Sequence, residues 1–404
     1  MDKKILMVLT RDVPNAAQFG RERTIAFIRD ALKTSAELSF FRVRSLLEDK
    51  SMTRYLEFIK NIVFDFLRGK PRAIQVSLFS NSTNVQSFLN FVASSHPDAI
   101  YFDGIRCLDY LLAARKSFPE KRLVCDIDDL MSRRMKLYRK AHIGTSAGYL
   151  KTYVPNWVQH YILDGLVGSF VQVYEEIALK QAEKEALEAV NLAVLVSVED
   201  ARVLRSQIGM IMQTKVKVIP PYTDLLFRLR TPEEPLRFVF IGSDSLMQNY
   251  LPIKYLLDAW KRLQPATPLH IYGKMTRIYP DVPGIYFQGF AEKLSEVYAP
   301  GSIALCPATL GGGIKTKILE AISYGVIPVG TPQAFEGIDL SDNDLAMNPS
   351  DFERFLVNPV QFFSKLEESA YRLRNYCENI HSSARIQDLW QIAMCPSTIR
   401  EDHC

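Results

Sequence analysis

The chain has 404 residues, of which 48% are hydrophobic and 23% are charged, and its formal net charge is +4. A single hydrophobic core stops growing at roughly 250 to 300 residues, so this length predicts two domains. A nucleic-acid-binding protein would show a stronger, clustered basic excess, which argues against nucleic acid as a partner. The sequence has no apolar run of the roughly 20 residues that a membrane-spanning helix needs, and the apolar stretch after Lys4 is too short for a signal peptide.

The cysteines show neither Cys-x-x-Cys pairs nor metal-ligand spacing. We therefore expect reduced thiols and a cytoplasmic location. The six cysteines are Cys107, Cys125, Cys306, Cys377, Cys395 and Cys404.

The first half of the chain alternates strand and helix patterns, as a parallel α/β domain does. The first strand, 5–9, is continuously apolar, leads to Gly20 and Arg21, and is followed by a helix over 24–32. A strand, a glycine-bearing loop and a helix offer a ligand site at the carboxyl end of the strand. Further extended segments are predicted at 38–43, 73–79, 99–104, 123–129, 192–197 and 216–221, and further helices at 55–67, 85–92 and 174–190.

Carboxylates stand at the ends of two of these strands. Asp103 ends one, and Asp126 and Asp128 end the next. The carboxyl ends of parallel strands share one edge, so these acids should lie in a cleft above the sheet. Capping of the following helix by Asp128 or Asp129 is the alternative.

Two basic segments also stand out. The helix 55–67 is amphipathic with basic flanks, and can lie on an anionic membrane or simply face the core. The cluster 133–140 precedes an aromatic-rich stretch, 149–171, a pairing that suits a phospholipid head group or a lipid-linked acceptor, or a surface insertion packed on its own domain.

After a proline-bearing linker that runs to Pro235, the second half restarts the pattern. Its motif is Gly311-Gly312-Gly313 between a buried strand and a helix predicted to begin near Ile314. Three glycines let backbone N–H groups turn toward an anion, and the helix adds its positive dipole end. Lys315 and Lys317 in the first turn could neutralise a leaving diphosphate, and Glu320 could accept hydrogen bonds from ribose hydroxyls. The alternative is a simple tight turn. The other predicted strands of this half are 238–243, 269–274 and 285–290, and its other helices are 251–263, 295–298, 352–365, 367–376 and 386–393.

The segment Glu320 to Val329 resembles the sugar-nucleotide motif of the retaining GT-B glycosyltransferases of group 1 (family four), in which a glutamate and a small-residue helix precede Gly-x-Pro-Val. Here one extra residue separates Gly325 from the Pro-Val pair. The family's first glutamate, which contacts the hydroxyls of the donor sugar, would fall at Gly312 and is absent. The glycine-rich, lysine-bearing loop is similar to that of exosortase-associated and other cell-surface polysaccharide sugar transferases.

The resemblance implies an α/β protein with two Rossmann-like doubly wound domains facing a cleft. The acceptor-binding domain would span 1–225, with a helical insertion at about 130–190, and the nucleotide-sugar-binding domain would span 226–380. A C-terminal helix in 381–404 would return to the first domain. The implied enzyme is a metal-independent hexosyltransferase without a cofactor. It would move a sugar from a nucleoside diphosphate sugar to a glycan or lipid-linked acceptor in surface polysaccharide or glycolipid synthesis, with peripheral membrane contact.

The resemblance also assigns roles to residues outside the motif. In the family the loop at Gly20 and Arg21 faces the donor phosphates, although Arg21 could merely solvate the helix start. Gly242 and Lys274, in turns after two strands of the second half, complete the predicted nucleotide-sugar site. The family often has histidines where Asp103 and Asp128 stand, so these acids and Asp126 are the predicted catalytic residues.

Three other interpretations stay open on the sequence alone. Asp126-Ile127-Asp128 spells the Asp-x-Asp that holds a divalent metal in the other glycosyltransferase fold. A GT-B sugar-nucleotide epimerase would use the same glycine loop without an acceptor. A non-catalytic binding subunit would bind nucleotide without transfer.

Overall fold

The computed structural model describes residues 3–12, 20–46, 48, 52–67, 69, 71–141, 166–230, 236–340 and 343–396. The chain divides into two compact units. Unit 1 comprises Met1–Thr145, Tyr153–Pro220 and Ala384–Cys404, and unit 2 comprises Ser146–Thr152 and Pro221–Ser383. Most of the aromatic-rich stretch 149–171 lies outside the described residues.

Unit 1 is built on a parallel sheet, whose described strands follow the order β2-β1-β3-β4-β5-β6. Its first strand is buried from Ile5 to Leu9, because in a parallel sheet helices cover both faces. The neighbouring strands β1, β3 and β4 end at the same edge, where the predicted acids stand. The strands are β1 (Lys3–Leu9), β2 (Ala36–Arg42), β3 (Ala99–Asp103), β4 (Arg122–Asp128), β5 (Leu192–Leu195) and β6 (Val216–Val218).

Helices flank this sheet. They are α1 (Gly20–Lys33), α2 (Met52–Leu67), α3 (Ile74–Ser77), α4 (Ser82–Ser95), α5 (Leu108–Ser117), α6 (Met131–Lys140), α7 (Leu166–Ala189), α8 (Val198–Arg205) and α9 (Met210–Gln213). The predicted extended segment at 73–79 is wrong, because α3 forms there. The Glu175 carboxylate on α7 accepts hydrogen bonds from the N–H groups of Ile74 at 2.7 Å and Gln75 at 3.3 Å, which satisfies the start of this short helix.

Unit 2 has its own parallel sheet, with its described strands in the order β11-β10-β7-β8-β9. Its core contains Phe238 of the central strand, whose ring packs edge-on against Trp260 and Phe355 at 5.9 Å and 5.5 Å between ring centroids. The strands are β7 (Arg237–Ile241), β8 (Leu269–Tyr272), β9 (Ile285–Gly289), β10 (Ser302–Cys306) and β11 (Ile327–Gly330).

The helices of unit 2 are α10 (Met247–Leu263), α11 (Leu294–Val297), α12 (Thr316–Ser323), α13 (Pro349–Val357) and α14 (Phe363–Ile380). The predicted bounds 352–365 and 367–376 are wrong. Pro359 ends the first helix early, and the second runs unbroken from Phe363. With these elements, the predicted α/β class with two doubly wound sheets is confirmed.

The last helix, α15 (Ser383–Met394), packs on unit 1. Trp390 lies edge-on against Tyr101 with ring centroids 5.7 Å apart, and the Gln391 amide donates to the carbonyl of Ala31 at 3.1 Å. None of the described helices combines the length and apolar character that a bilayer span requires.

Candidate functional site

The glycine loop of unit 2 connects β10 to α12. Gly312 and Gly313 have φ values of 98° and 61°, a region that favours glycine, so both positions require this residue for the turn. The helix begins at Thr316, two residues later than predicted, and Lys315 stands at its N-cap. The Lys315 ammonium folds back to donate to the Gly312 carbonyl at 2.5 Å. This lysine therefore braces the loop itself.

Lys317 reaches from the first turn of α12 to the end of β7. Its ammonium donates to the carbonyl of Ile241 at 3.0 Å and to the side-chain carbonyl of Asn249 at 3.1 Å, and it lies 4.5 Å from the ring centroid of Phe240. Burial lowers the pKa of this lysine. A Cβ on Gly242 would lie 2.6 Å from the Asn249 side chain, so this glycine makes room for that contact. The structure thus brings Gly242 and Lys317 into one cluster.

Ser243-Asp244-Ser245 follows Gly242 at the end of β7 and carries no basic side chain. The ammonium at this strand end comes from Lys317, which donates to the Ile241 carbonyl. Lys274 is exposed, and its carbonyl accepts a hydrogen bond from the Ser243 hydroxyl at 2.8 Å.

Asp244, which the sequence analysis did not single out, is buried and braces the neighbouring loop. Its carboxylate accepts from the N–H groups of Thr276 at 2.7 Å and Arg277 at 2.9 Å, and from the Tyr279 hydroxyl at 3.0 Å. Burial would raise its pKa, but these hydrogen bonds outweigh it and hold the pKa of Asp244 below its usual value. Asp244 therefore links the loop after β7 to the loop after β8 and has a structural role.

Glu320 lies one turn beyond Lys317 on α12 and is half-buried. Its charge favours the protonated form of Lys317, partly opposing the effect of burial on the pKa of that lysine. Burial raises the pKa of Tyr298, and the Glu320 charge adds to this effect; the Tyr298 hydroxyl donates to the Lys317 carbonyl at 3.3 Å. The carboxylate therefore belongs to the same cluster as the buried ammonium.

Glu336, also missed by sequence reasoning, lies against the glycine loop. A Cβ built on Gly311 would come within 1.9 Å of the Glu336 carboxylate oxygen Oε2. The two residues are 25 positions apart in the sequence, and no local pattern links them. The loop thus carries a carboxylate on one side in addition to its lysines.

In unit 1, Arg21 forms a cluster with all three predicted acids. Its guanidinium nitrogens lie 3.1 Å from the Asp103 carboxylate, 2.6 Å from that of Asp126 and 3.2 Å from that of Asp128. The Arg21 side chain is 12% exposed. These contacts argue against the predicted role of Arg21 as a phosphate ligand, because its charge already faces three carboxylates. Gly20, with φ of 59°, begins α1 beside it.

The three acids differ in environment. Burial raises the pKa of Asp126 to about 6 against the opposing effect of Arg21, and its Oδ1 atom meets no hydrogen-bond donor among the described residues. Asp103 is also buried, but Arg21 and Arg11 hold its pKa below the usual value. The Asp128 side chain is 40% exposed, and its backbone has φ of 70°. Among the three predicted catalytic acids, only Asp128 presents its carboxylate to solvent.

The acids of the Asp-x-Asp sequence and the arginines of the basic cluster all have partners within unit 1. Asp126 and Asp128 both contact Arg21, and within the described ranges no group of three His, Cys, Asp or Glu side chains could hold a metal ion. The basic cluster forms α6, and its arginines pair within unit 1: Arg133 with Asp200, Arg134 with Asp129 and Arg139 with Glu176.

The match to a known protein family lies in unit 2. Residues 235–361 match the family model "Glycosyl transferases group 1". The chain carries a group 1 glycosyltransferase domain. This match covers the sheet, the glycine loop and Lys317, and the predicted family and enzyme class are confirmed. No curated protein matches this glycosyltransferase by sequence.

Solved structures share the fold over nearly the whole glycosyltransferase chain. HepE of Anabaena in complex with UDP is 13% identical with a TM-score of 0.61, over 96% of this chain and 98% of its own. The lipopolysaccharide outer core galactosyltransferase WaaB is 13% identical with a TM-score of 0.57, over 97% and 98%. Sucrose-phosphate synthase of Thermosynechococcus elongatus is 13% identical with a TM-score of 0.63, over 96% and 97%. At such identities the likeness establishes the GT-B fold alone.

Proposed function

We propose that this glycosyltransferase moves a sugar from a nucleoside diphosphate sugar to a glycan or lipid-linked acceptor in surface polysaccharide or glycolipid synthesis, with retention of configuration and without a metal. The observation that carries the proposal is the ammonium of Lys317 at the carboxyl end of β7, within the residues that match the family. A cation held there suits a diphosphate, since ligands of open α/β sheets bind at the carboxyl ends of the strands.

In the proposed reaction the bond from the sugar's anomeric carbon to the diphosphate breaks, and a bond to the acceptor oxygen forms. Negative charge grows on the departing diphosphate, and a fixed cation stabilises it more than it stabilises the substrate. Lys317 provides that cation, the turn at Gly312 and Gly313 provides backbone N–H groups, and Glu320 accepts hydrogen bonds from the ribose hydroxyls. The first donors to test carry UDP, because HepE was solved with UDP and with UDP-glucose.

For the acceptor, the exposed Asp128 is the best placed of the three predicted acids. Asp103 and Asp126 are buried against Arg21, which also contacts Asp128. A carboxylate at this edge of the sheet can orient an acceptor hydroxyl or accept its proton.

The test is a panel of radiolabelled UDP, GDP and ADP sugars, incubated with the protein and a membrane extract as acceptor. We expect label in the extract with one donor, and a large loss with Glu320→Gln and with Asp128→Asn. Glu378→Gln, an exposed change on α14, is the control. Conversion of the donor without an acceptor would instead identify an epimerase, and donor binding without turnover would identify a non-catalytic subunit.

We also propose peripheral membrane contact through α2. Leu56, Ile59, Val63 and Leu67 share one helix face and are 59%, 53%, 48% and 76% exposed. Lys60 is exposed beside them, and such an apolar face with a basic neighbour suits an anionic bilayer. The protein should float with phosphatidylglycerol vesicles more than with phosphatidylcholine vesicles. Val63→Glu should abolish this difference, whereas Val360→Glu, which alters an exposed valine of unit 2, should not.

A further inference from the structure

Gly311 is a glycine for a reason other than backbone conformation. Gly312 and Gly313 have positive φ values, but Gly311 does not. What Gly311 provides is space, because a Cβ there would lie 1.9 Å from Oε2 and 3.0 Å from Cδ of Glu336. The bare backbone at this position therefore admits a carboxylate from the loop that follows β11.

The backbone around Glu336 is well fixed. At the start of the segment, the Thr331 hydroxyl donates to the Ala308 carbonyl at 2.5 Å, which ties this loop to the one that follows β10. Phe335 and Ile338 on either side are 4% and 7% exposed, and the Ile338 N–H donates to the Phe335 carbonyl at 3.0 Å. A glutamate between two buried anchors has a defined position, unlike a glutamate on a mobile surface loop.

Lys317 and Glu336 suit different parts of a sugar nucleotide. A carboxylate repels a diphosphate, but it is a strong acceptor for the hydroxyl groups of a sugar. Lys317 holds positive charge at the end of β7, and Glu336 holds negative charge at Gly311, next to the position at which the motif lacks its first glutamate. The end of β7 thus offers a cation for phosphate, and the glycine loop offers a carboxylate for hydroxyls.

We propose that Glu336 accepts hydrogen bonds from the hydroxyls of the transferred sugar, and so replaces, from the loop after β11, the carboxylate missing at Gly312. This inference rests on the proposed function. It makes Glu336 a residue that selects the sugar, while the nucleotide is bound elsewhere in the domain.

The experiment is titration calorimetry of the full chain with UDP, UDP-glucose, UDP-galactose and UDP-N-acetylglucosamine. For Glu336→Gln we expect UDP affinity to stay within about twofold, and the affinity for the preferred UDP-sugar to fall about tenfold or more, since hydrogen bonds to charged groups are the strong ones. Glu336→Asp, which keeps the charge but shortens the reach, should lose less. Glu378→Gln is the matched control on an exposed helix position.

Gly311→Ala provides a second route to the same result, because it displaces the carboxylate without removing it. It should give the same selective loss, and it decides the question if Glu336→Gln fails to fold. Equal weakening of UDP and UDP-sugar, or no weakening of the UDP-sugar, would overturn the role of Glu336 alone. A wild-type chain that binds none of these ligands, nor the GDP and ADP sugars of the panel, would overturn the proposed function with it.

Discussion

Two clusters in this molecule place a cation at the carboxyl ends of parallel strands, and they differ in what surrounds it. Arg21 in unit 1 contacts three carboxylates, whereas Lys317 in unit 2 donates to a carbonyl and an amide oxygen. The acids raise the pKa of Arg21 even against burial, whereas burial prevails at Lys317 and lowers its pKa. The position of a cation at a strand end therefore does not by itself make a phosphate site. Three carboxylates neutralise Arg21, so we expect it to be a structural residue. Lys317 contacts only neutral oxygens in these hydrogen bonds, which leaves its charge for a ligand.

The largest expected effect is on the stability of unit 1. Arg21→Ala leaves three carboxylates without their shared counter-charge, and removing one partner of a buried ion pair costs about 3–5 kcal/mol of unfolding free energy. Urea denaturation followed by circular dichroism measures this loss. The control is Arg202→Ala, whose side chain is 72% exposed and which should leave the unfolding free energy nearly unchanged. If Arg21→Ala left stability unchanged and weakened UDP binding, the contrast between the clusters would be wrong.

The next effect is a pH dependence at Asp126. Its pKa is raised to about 6 in the folded state, so between about pH 4 and pH 6 the folded chain keeps a proton that the unfolded chain has released. Stability from this group is present at low pH and falls as pH rises through about 6, by about 3 kcal/mol in all. Asp126→Asn removes this titration and keeps an oxygen acceptor for Tyr101, which donates to Asp126 at 2.7 Å.

Urea denaturation at pH 4 and pH 7 checks this prediction. The unfolding free energy of the wild type should fall relative to that of Asp126→Asn as the pH rises. Asp388→Asn, at an exposed position on α15, should track the wild type. Parallel pH profiles for the wild type and Asp126→Asn would show that the carboxyl is ionised across this range.

Local sequence patterns predicted much of this fold but not the partners of its charged side chains. The strand at Ile5 to Leu9 is continuously apolar, and the glycine loop and Lys317 lie within a few residues of each other. A short stretch of sequence was therefore enough to predict the strand and to find the loop with its lysine. Arg21 meets Asp103 and Asp126 across 82 and 105 residues of chain, a meeting that only the strand order creates.

The same limit explains the other errors and omissions. The helix α3 at Ile74 depends on a carboxylate 101 residues away, at Glu175. Gly311 looked like one of three equivalent glycines, but its neighbour Glu336 comes from a different loop. Contacts of this kind depend on which loops the topology brings together and on how far each side chain reaches.

A smaller effect is expected on nucleotide affinity. Lys317→Met keeps the length and apolar stem of the side chain over Phe240 but removes the ammonium. A charge-assisted contact to phosphate contributes about 1.5–3 kcal/mol, so UDP affinity should fall about 10- to 150-fold. Calorimetry measures this, with Lys365→Met on the exposed side of α14 as the control. Unchanged UDP affinity in a folded Lys317→Met chain would remove the main support for the proposed function.

The smallest effect separates the two lysines of the loop. The Lys315 ammonium is bound to the carbonyl of Gly312, so Lys315→Met removes a brace of the turn and leaves the Lys317 contacts at β7 in place. UDP affinity should fall only about threefold, which corresponds to less than about 1 kcal/mol. Calorimetry on the single variants and on the double variant gives the coupling between the two positions. A loss at Lys315 as large as that at Lys317 would mean that the ammonium of Lys315 leaves the Gly312 carbonyl and binds phosphate directly, so that the cation at the loop would matter as much as the cation at the strand end.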